Sequence, residues 1–196
     1  MKLTKLFVGA FALSAMLVAC GDGSVYGTLT DTRAVKTYKT VKIGAQTWMA
    51  ENLNYETGNS YCYDNYARNC NKYGRLYTWD AAKKACPEGW HLPSKTEFET
   101  LFTAVGVQDG AGTALKSTSS WNEDSGNGTD SFGFSALPAG FRFSNGEYHD
   151  EGYDAYFWSS TENDSYRVYY VNLYRDDEYL ARSNKLGWLS VRCVKD

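Results

Sequence analysis

The sequence predicts an α+β domain in which two helices pack on antiparallel strands and two disulfides staple the whole. Three observations predict it. Ser94-Lys95-Thr96-Glu97 is a capping box followed by Phe98, Leu101, Phe102 and Val105 at helical spacing. Several short runs alternate apolar and polar residues as strands do. Four cysteines remain once Cys20 is set aside, an even number, as disulfide frameworks have.

The chain opens with Lys2 and Lys5, then an apolar run from Leu6 to Val18 that is too short to span a bilayer comfortably. This is the pattern of an export signal. Leu17-Val18-Ala19-Cys20 resembles the lipobox of bacterial lipoproteins, and the resemblance implies cleavage before Cys20 and a lipid on its sulfur. Residues 1–19 are then the signal, residues 20–35 a lipidated flexible tether rich in Gly, Thr and Asp, and residues 36–196 the domain. Gly21 stands where an aspartate would retain a lipoprotein at an inner membrane, so the expected address is the outer membrane or cell surface.

Cleavage removes 19 of the 196 residues together with Lys2 and Lys5, which moves the formal charge from −3 to −5. Mild acidity without a Lys/Arg block argues against a nucleic-acid partner. Aromatic residues make up 16% of the chain, with 16 Tyr and 6 Trp, enough to supply a recognition surface as well as a core.

Tyr38 to Ile43 alternates as a strand, Gly44-Ala45 turns, and Gln46 to Met49 begins a second strand. Thr78 to Cys86 reads as the first helix, stopped by Pro87. The capping box opens the second, which ends at Gly106. Asn145-Gly146 sits between FRFS and EYH as a hairpin turn, with Phe141 and Phe143 on one face. Residues 167–173, 178–183 and 189–195 read as further strands. In the last, Leu189, Val191 and Cys193 share a face.

Four cysteines allow three pairings. Cys62 and Cys70 flank a short polar loop, so a local bridge is natural, and Cys86 to Cys193 is then its complement. By loop entropy these contribute roughly 2.6 and roughly 4.8 kcal/mol at most. A zinc site is the rival reading, but no C-x-x-C pair is present, and His91 and His149 lie far from ligand spacing.

VKIGAQTWMAENLNY (41–55), YGRLYTWDAAKKACPEGWHLPSKTEFETL (73–101), FGFSALPAGFR (132–142), FWSST (157–161) and SVRCVKD (190–196) together resemble the Fibrobacter succinogenes major paralogous domain. That resemblance runs through most of the domain in order; it implies an exported protein or lipoprotein and brings no activity with it. GWHLPSKTEFETL is also similar to the helix-opening motif of C-type-lectin-like and formylglycine-generating-enzyme-like domains. This second likeness implies two helices beside small twisted antiparallel sheets, a long loop region forming the binding face, and a long bridge matching Cys86 to Cys193.

The loop region 107–140 offers Asn122, Glu123, Asp124, Asn127 and Asp130 as hard oxygen donors, so calcium on Asn122, Asp124, Asn127 and Asp130 is one expectation and a hydrogen-bonded turn network the other. Tyr61, Tyr63, Tyr66, Trp121, Tyr148, Tyr153 and Tyr156 fall near expected loops and are candidates to stack on sugars or pack on a partner. Trp48, Trp79, Trp90, Trp158 and Trp188 are expected in the core. For catalysis, His91 is a candidate base and Asp150, Glu151 or Asp154 a candidate partner of His149, but nothing sets a nucleophile beside them. Asp176-Asp177-Glu178 reads as a solvated turn.

These features favour a non-enzymatic, lipid-anchored envelope module that binds polysaccharide or an envelope protein. The alternatives are an enzyme related to formylglycine-generating proteins, whose chemistry needs reactive cysteines, and a purely structural envelope component.

Overall fold

A computed structural model describes residues 25–106 and 110–196. Its strands are β1 (Val25–Asp31), β2 (Lys36–Ile43), β3 (Gln46–Met49), β4 (Ser60–Tyr61), β5 (Leu76–Thr78), β6 (Trp90–His91) and β7 (Ala139–Arg142), followed by β8 (Tyr148–Glu151), β9 (Asp154–Glu162), β10 (Arg167–Tyr174), β11 (Asp177–Asn184), β12 (Trp188–Ser190) and β13 (Val194–Lys195). Its α-helices are α1 (Ala67–Tyr73), α2 (Trp79–Ala82), α3 (Lys95–Val105) and α4 (Ala111–Leu115). The strands form two sheets, ordered β1-β2-β3-β13-β6 and β11-β10-β9-β7-β12-β5-β4, with β8 paired to β7. Most pairings are antiparallel; β9 meets β7 and β12 in parallel.

The expected hairpin of β2 and β3 turns through Gly44, with Ile43 opposite Gln46. The capping box is complete: Ser94 Oγ accepts from Glu97 N, and Ser94 N donates to Glu97 Oε2 at 2.7 Å. Phe98 and Leu101 point from α3 into a core with Trp48, Phe134 and Phe157. There Trp48 lies 5.3 Å from Phe98 and 5.7 Å from Phe134, ring to ring. A second core gathers Tyr38, Met49, Leu53, Tyr77, Trp79, Trp158 and Cys193. Trp90 and Trp188, expected in the core, are only half-buried. Both disulfides form, Cys62–Cys70 and Cys86–Cys193.

Four expectations are corrected. Residues 25–31, read as tether, form β1 in full register with β2, because Leu29 packs into the second core and the buried Asp31 is paired with Arg33. The Cys62–Cys70 segment is not a plain loop but leads into α1, with Asn69 Nδ2 donating to Tyr63 O at 2.9 Å. Helix α2 ends at Ala82, and residues 83–85 continue as turns to Cys86. The last strand is two: β12 belongs to one sheet and β13 to the other, and Val191-Arg192-Cys193 carries the chain between them. Cys20 and the expected signal lie outside the described residues. Among the described residues no helix is long and apolar enough to cross a membrane.

At that crossing Arg192 is fully buried. Its guanidinium donates to Asn52 Oδ1 at 2.7 and 3.1 Å, to Met49 O at 3.2 Å, to Ser135 O at 3.2 Å and to Phe134 O. Burial pulls it down to about 9 against the opposing charges of Asp130 and Glu51, so it stays charged at neutral pH. Lys116, also buried, has Nζ 2.6 Å from Ser125 O and 2.8 Å from Arg175 O. Replacing Arg192 by Leu strands four acceptors, and about 3–5 kcal/mol of stability is expected to be lost. Chemical denaturation checks this beside Arg182→Leu on exposed β11, which is expected to change stability by no more than about 0.5 kcal/mol.

Candidate functional site

Strand alternation sorts side chains onto the two faces of the larger sheet. On β9, Ala155 and Phe157 face the α3 core, while Tyr156 and Trp158 face the other way. Tyr170 of β10 lies beside Tyr156, ring to ring 6.1 Å. On β7, Phe141 meets Tyr156 at 5.1 Å, and Phe143 follows it at 4.6 Å. These rings and Trp158 line an open groove of about 270 Å³ whose rim carries Ser144, Ser183 and Asn184, with Leu186 and Gly187 from the β11–β12 turn. Gly140 makes the hairpin wall: its φ is +59°, and a Cβ there would stand 2.1 Å from His149 O.

Tyr156 Oη lies 2.8 Å from both Asp150 Oδ2 and Asp154 Oδ2. A phenol has one proton, so it serves one carboxylate at a time. Asn172 Nδ2 donates to Asp154 Oδ2 at 2.9 Å. Burial pushes the Asp154 carboxyl up, against the pull of these hydrogen bonds, and burial beside the two carboxylates pushes the Tyr156 phenol up. The groove therefore presents ring faces, hydroxyls and amides: chemistry for stacking on and hydrogen-bonding a polar ring compound.

The candidate aromatics do not form one surface. Tyr156 lines the groove. Tyr61 and Tyr148, with Trp188, surround Arg142, whose guanidinium carbon lies 4.3 Å from the Tyr61 and Trp188 ring centroids and 5.6 Å from that of Tyr148. Tyr63 is buried against Tyr148 at 5.1 Å, which corrects its reading as a surface contact. Tyr66 and Tyr153 are exposed away from the groove lining. Trp121 is also corrected: it is buried under Lys116, whose Nζ stands 4.1 Å above the ring, and its Nε1 donates to Ser117 Oγ.

The acidic loop is a turn network. Asn127 Oδ1 accepts from Trp121 N, and Asp130 accepts from the Ser135 backbone and hydroxyl. Asn122 abuts Gly152 through its backbone, with N donating to Gly152 O at 2.7 Å, and Asp124 is exposed. Among the described residues no three His, Cys, Asp or Glu side chains converge as a metal-ligand group. Asp176 and Glu178 are not merely solvated: they accept from Thr113 Oγ1 and Gly112 N and so dock α4.

Of the groove's rings, Tyr156 was a candidate binding residue; Phe141, Phe143 and Tyr170 were not, and Trp158 was expected in the core. Phe141 and Phe143 were legible as one face of a strand. Tyr156-x-Trp158 carried the same period, but β9 is covered on both sides and its apolar run hides the alternation.

Fold and groove define a disulfide-bridged α+β module with an aromatic-lined groove. The chain belongs to the Fibrobacter succinogenes major domain family, whose model matches residues 41–195. No curated protein and no solved structure matches it.

His91, a candidate base, is instead a clamp. Its Nδ1 lies 2.6 Å from Asp196 Oδ1 and its Nε2 2.7 Å from Glu97 Oε1, tying the C-terminus to the capping box. Burial lowers its pKa, but the two carboxylate contacts outweigh this and raise it above the free value of 6.5. Its contribution to stability is thus complete below pH 6.5 and is lost as pH rises through the folded-state value. The melting-temperature gap between the native chain and His91→Gln is expected to narrow from acid to alkaline pH. A gap of constant width would refute the clamp.

Proposed function

We propose that the chain is an exported, lipid-anchored envelope protein that binds polysaccharide through the groove between β7, β9, β10 and the β11–β12 turn, without catalysis. One observation carries the reading: Phe141, Phe143, Tyr156 and Tyr170 form a continuous row of rings along the open groove, rimmed by Ser144, Ser183 and Asn184. Sugar rings have apolar faces and hydroxyl edges, and this arrangement offers a partner to each. The signal and lipobox support export and anchoring, and two disulfides suit an oxidising compartment.

A C-type-lectin-like scaffold is part of the same proposal. Its support is the capped helix after Gly89-Trp90-His91-Leu92-Pro93 and the bridge from Cys86 to the C-terminal strands. Formylglycine-type chemistry needs reactive thiols, whereas all four cysteines among the described residues are oxidised in pairs. An envelope-protein ligand would use the same face.

Phe143 is 46% exposed, so Phe143→Ala removes a ring with little harm to the core. On a glycan array followed by titration calorimetry, Phe143→Ala is expected to weaken the polysaccharide bound by the native chain about tenfold, roughly 1.4 kcal/mol. Tyr66→Ala and Tyr153→Ala should leave it unchanged. Affinity untouched by Phe143→Ala, or lost in both controls, would place binding elsewhere.

A further inference from the structure

Strand β1 starts at Val25, five residues after Cys20. A chain extends at most about 3.6 Å per residue, so a lipid on Cys20 holds Val25 within about 18 Å of its attachment. Val25 pairs with Lys42, beside the Gly44-Ala45 turn, and a Cβ on Gly44 would touch Ala104 at 3.0 Å, near the end of α3. The groove rim lies at the other end of that helix. Lys95, its first residue, donates from its backbone to Thr161 Oγ1 at 2.9 Å, and Lys185 in the β11–β12 turn reaches the neighbouring Glu162 at 2.9 Å. The β2–β3 turn and the β11–β12 turn thus lie toward opposite ends of α3, whose 11 residues span about 16 Å.

We propose that the domain stands directly on the bilayer on the pole formed by the start of β1 and the β2–β3 turn, with the aromatic groove directed outward. This rests on the lipid-anchor reading above. The occupant of the pole is the phospholipid headgroup surface. Val25 and Tyr26 are 52% and 57% exposed on an edge strand, and the Tyr26 ring is seated over Gly133, 2.5 Å from where a Cβ would stand. Lys42 is exposed opposite Val25. An apolar side chain, an amphipathic ring and a cation are what the headgroup layer accepts, and the cation is drawn to anionic lipid.

The test uses the full lipidated chain in vesicles of phosphatidylcholine and phosphatidylglycerol doped with an energy-transfer acceptor lipid. A genetically encoded fluorescent amino acid replaces Ala45 in one sample and Ser144 in another. Transfer is expected to be clearly stronger from position 45, and a long Gly/Ser insert after Ser24 should erase the difference. Equal transfer, or stronger transfer from position 144, in chains that float with the vesicles would overturn the orientation alone. Chains that fail to float and carry no lipid on Cys20 by mass spectrometry would overturn the anchoring reading and this one with it.

Discussion

A guanidinium buried where the chain passes from one sheet to the other holds this fold together. Arg192 has no carboxylate in direct contact; its hydrogen-bond partners are the Asn52 amide and three backbone carbonyls. Those partners come from residues 49–52, at and just after the end of β3, and from residues 134–135, so one side chain ties the crossing to two stretches far from it in sequence. The Phe134 and Phe157 rings lie 4.5 and 5.4 Å from its guanidinium carbon, replacing part of the solvation that water would supply. A buried charge is tolerated only when such donors are satisfied, so the surrounding backbone has little freedom to move.

Lys116 does for the opposite loop what Arg192 does for the crossing. It reaches carbonyls at Ser125 and Arg175 and covers Trp121, so the 116–126 segment is tied to the β10–β11 turn. With both loops pinned from inside, β9 and β10 keep one face against the α3 core and the other against the second core, where Tyr156 and Tyr170 remain half-buried at the groove. The groove is the outcome of that division. Its aromatic wall on β7 is flanked by Arg142, held between Tyr61 and Trp188, and the Cys62–Cys70 bridge begins at the residue after Tyr61.

Local signals were legible in proportion to how completely they were local. The Ser94 capping box, the two-residue turn after Ile43, and the Asn145-Gly146 turn each lie within a few neighbouring residues, and each element formed. The Cys62–Cys70 pairing was readable for the same reason. Strand β1 was missed because Thr-rich VYGTLTD buries little of its own, and α4 because five residues containing glycine carry no helical period. Trp121 and Tyr63 were misplaced because an aromatic ring in a polar stretch looks alike whether a lysine covers it or solvent does.

By itself the sequence determined the family, the α+β class, the oxidised cysteine framework, the capped helix and the pair Phe141-x-Phe143, since each is written in short-range spacing or in motifs that survive without their surroundings. Only the tertiary structure decided which rings share the groove, where Arg192 and Lys116 go, and which pole carries the start of β1. Those outcomes depend on strands such as β9 and β12 meeting across long sequence separations, and on burial that satisfies charge through backbone carbonyls, whose positions no residue pattern records.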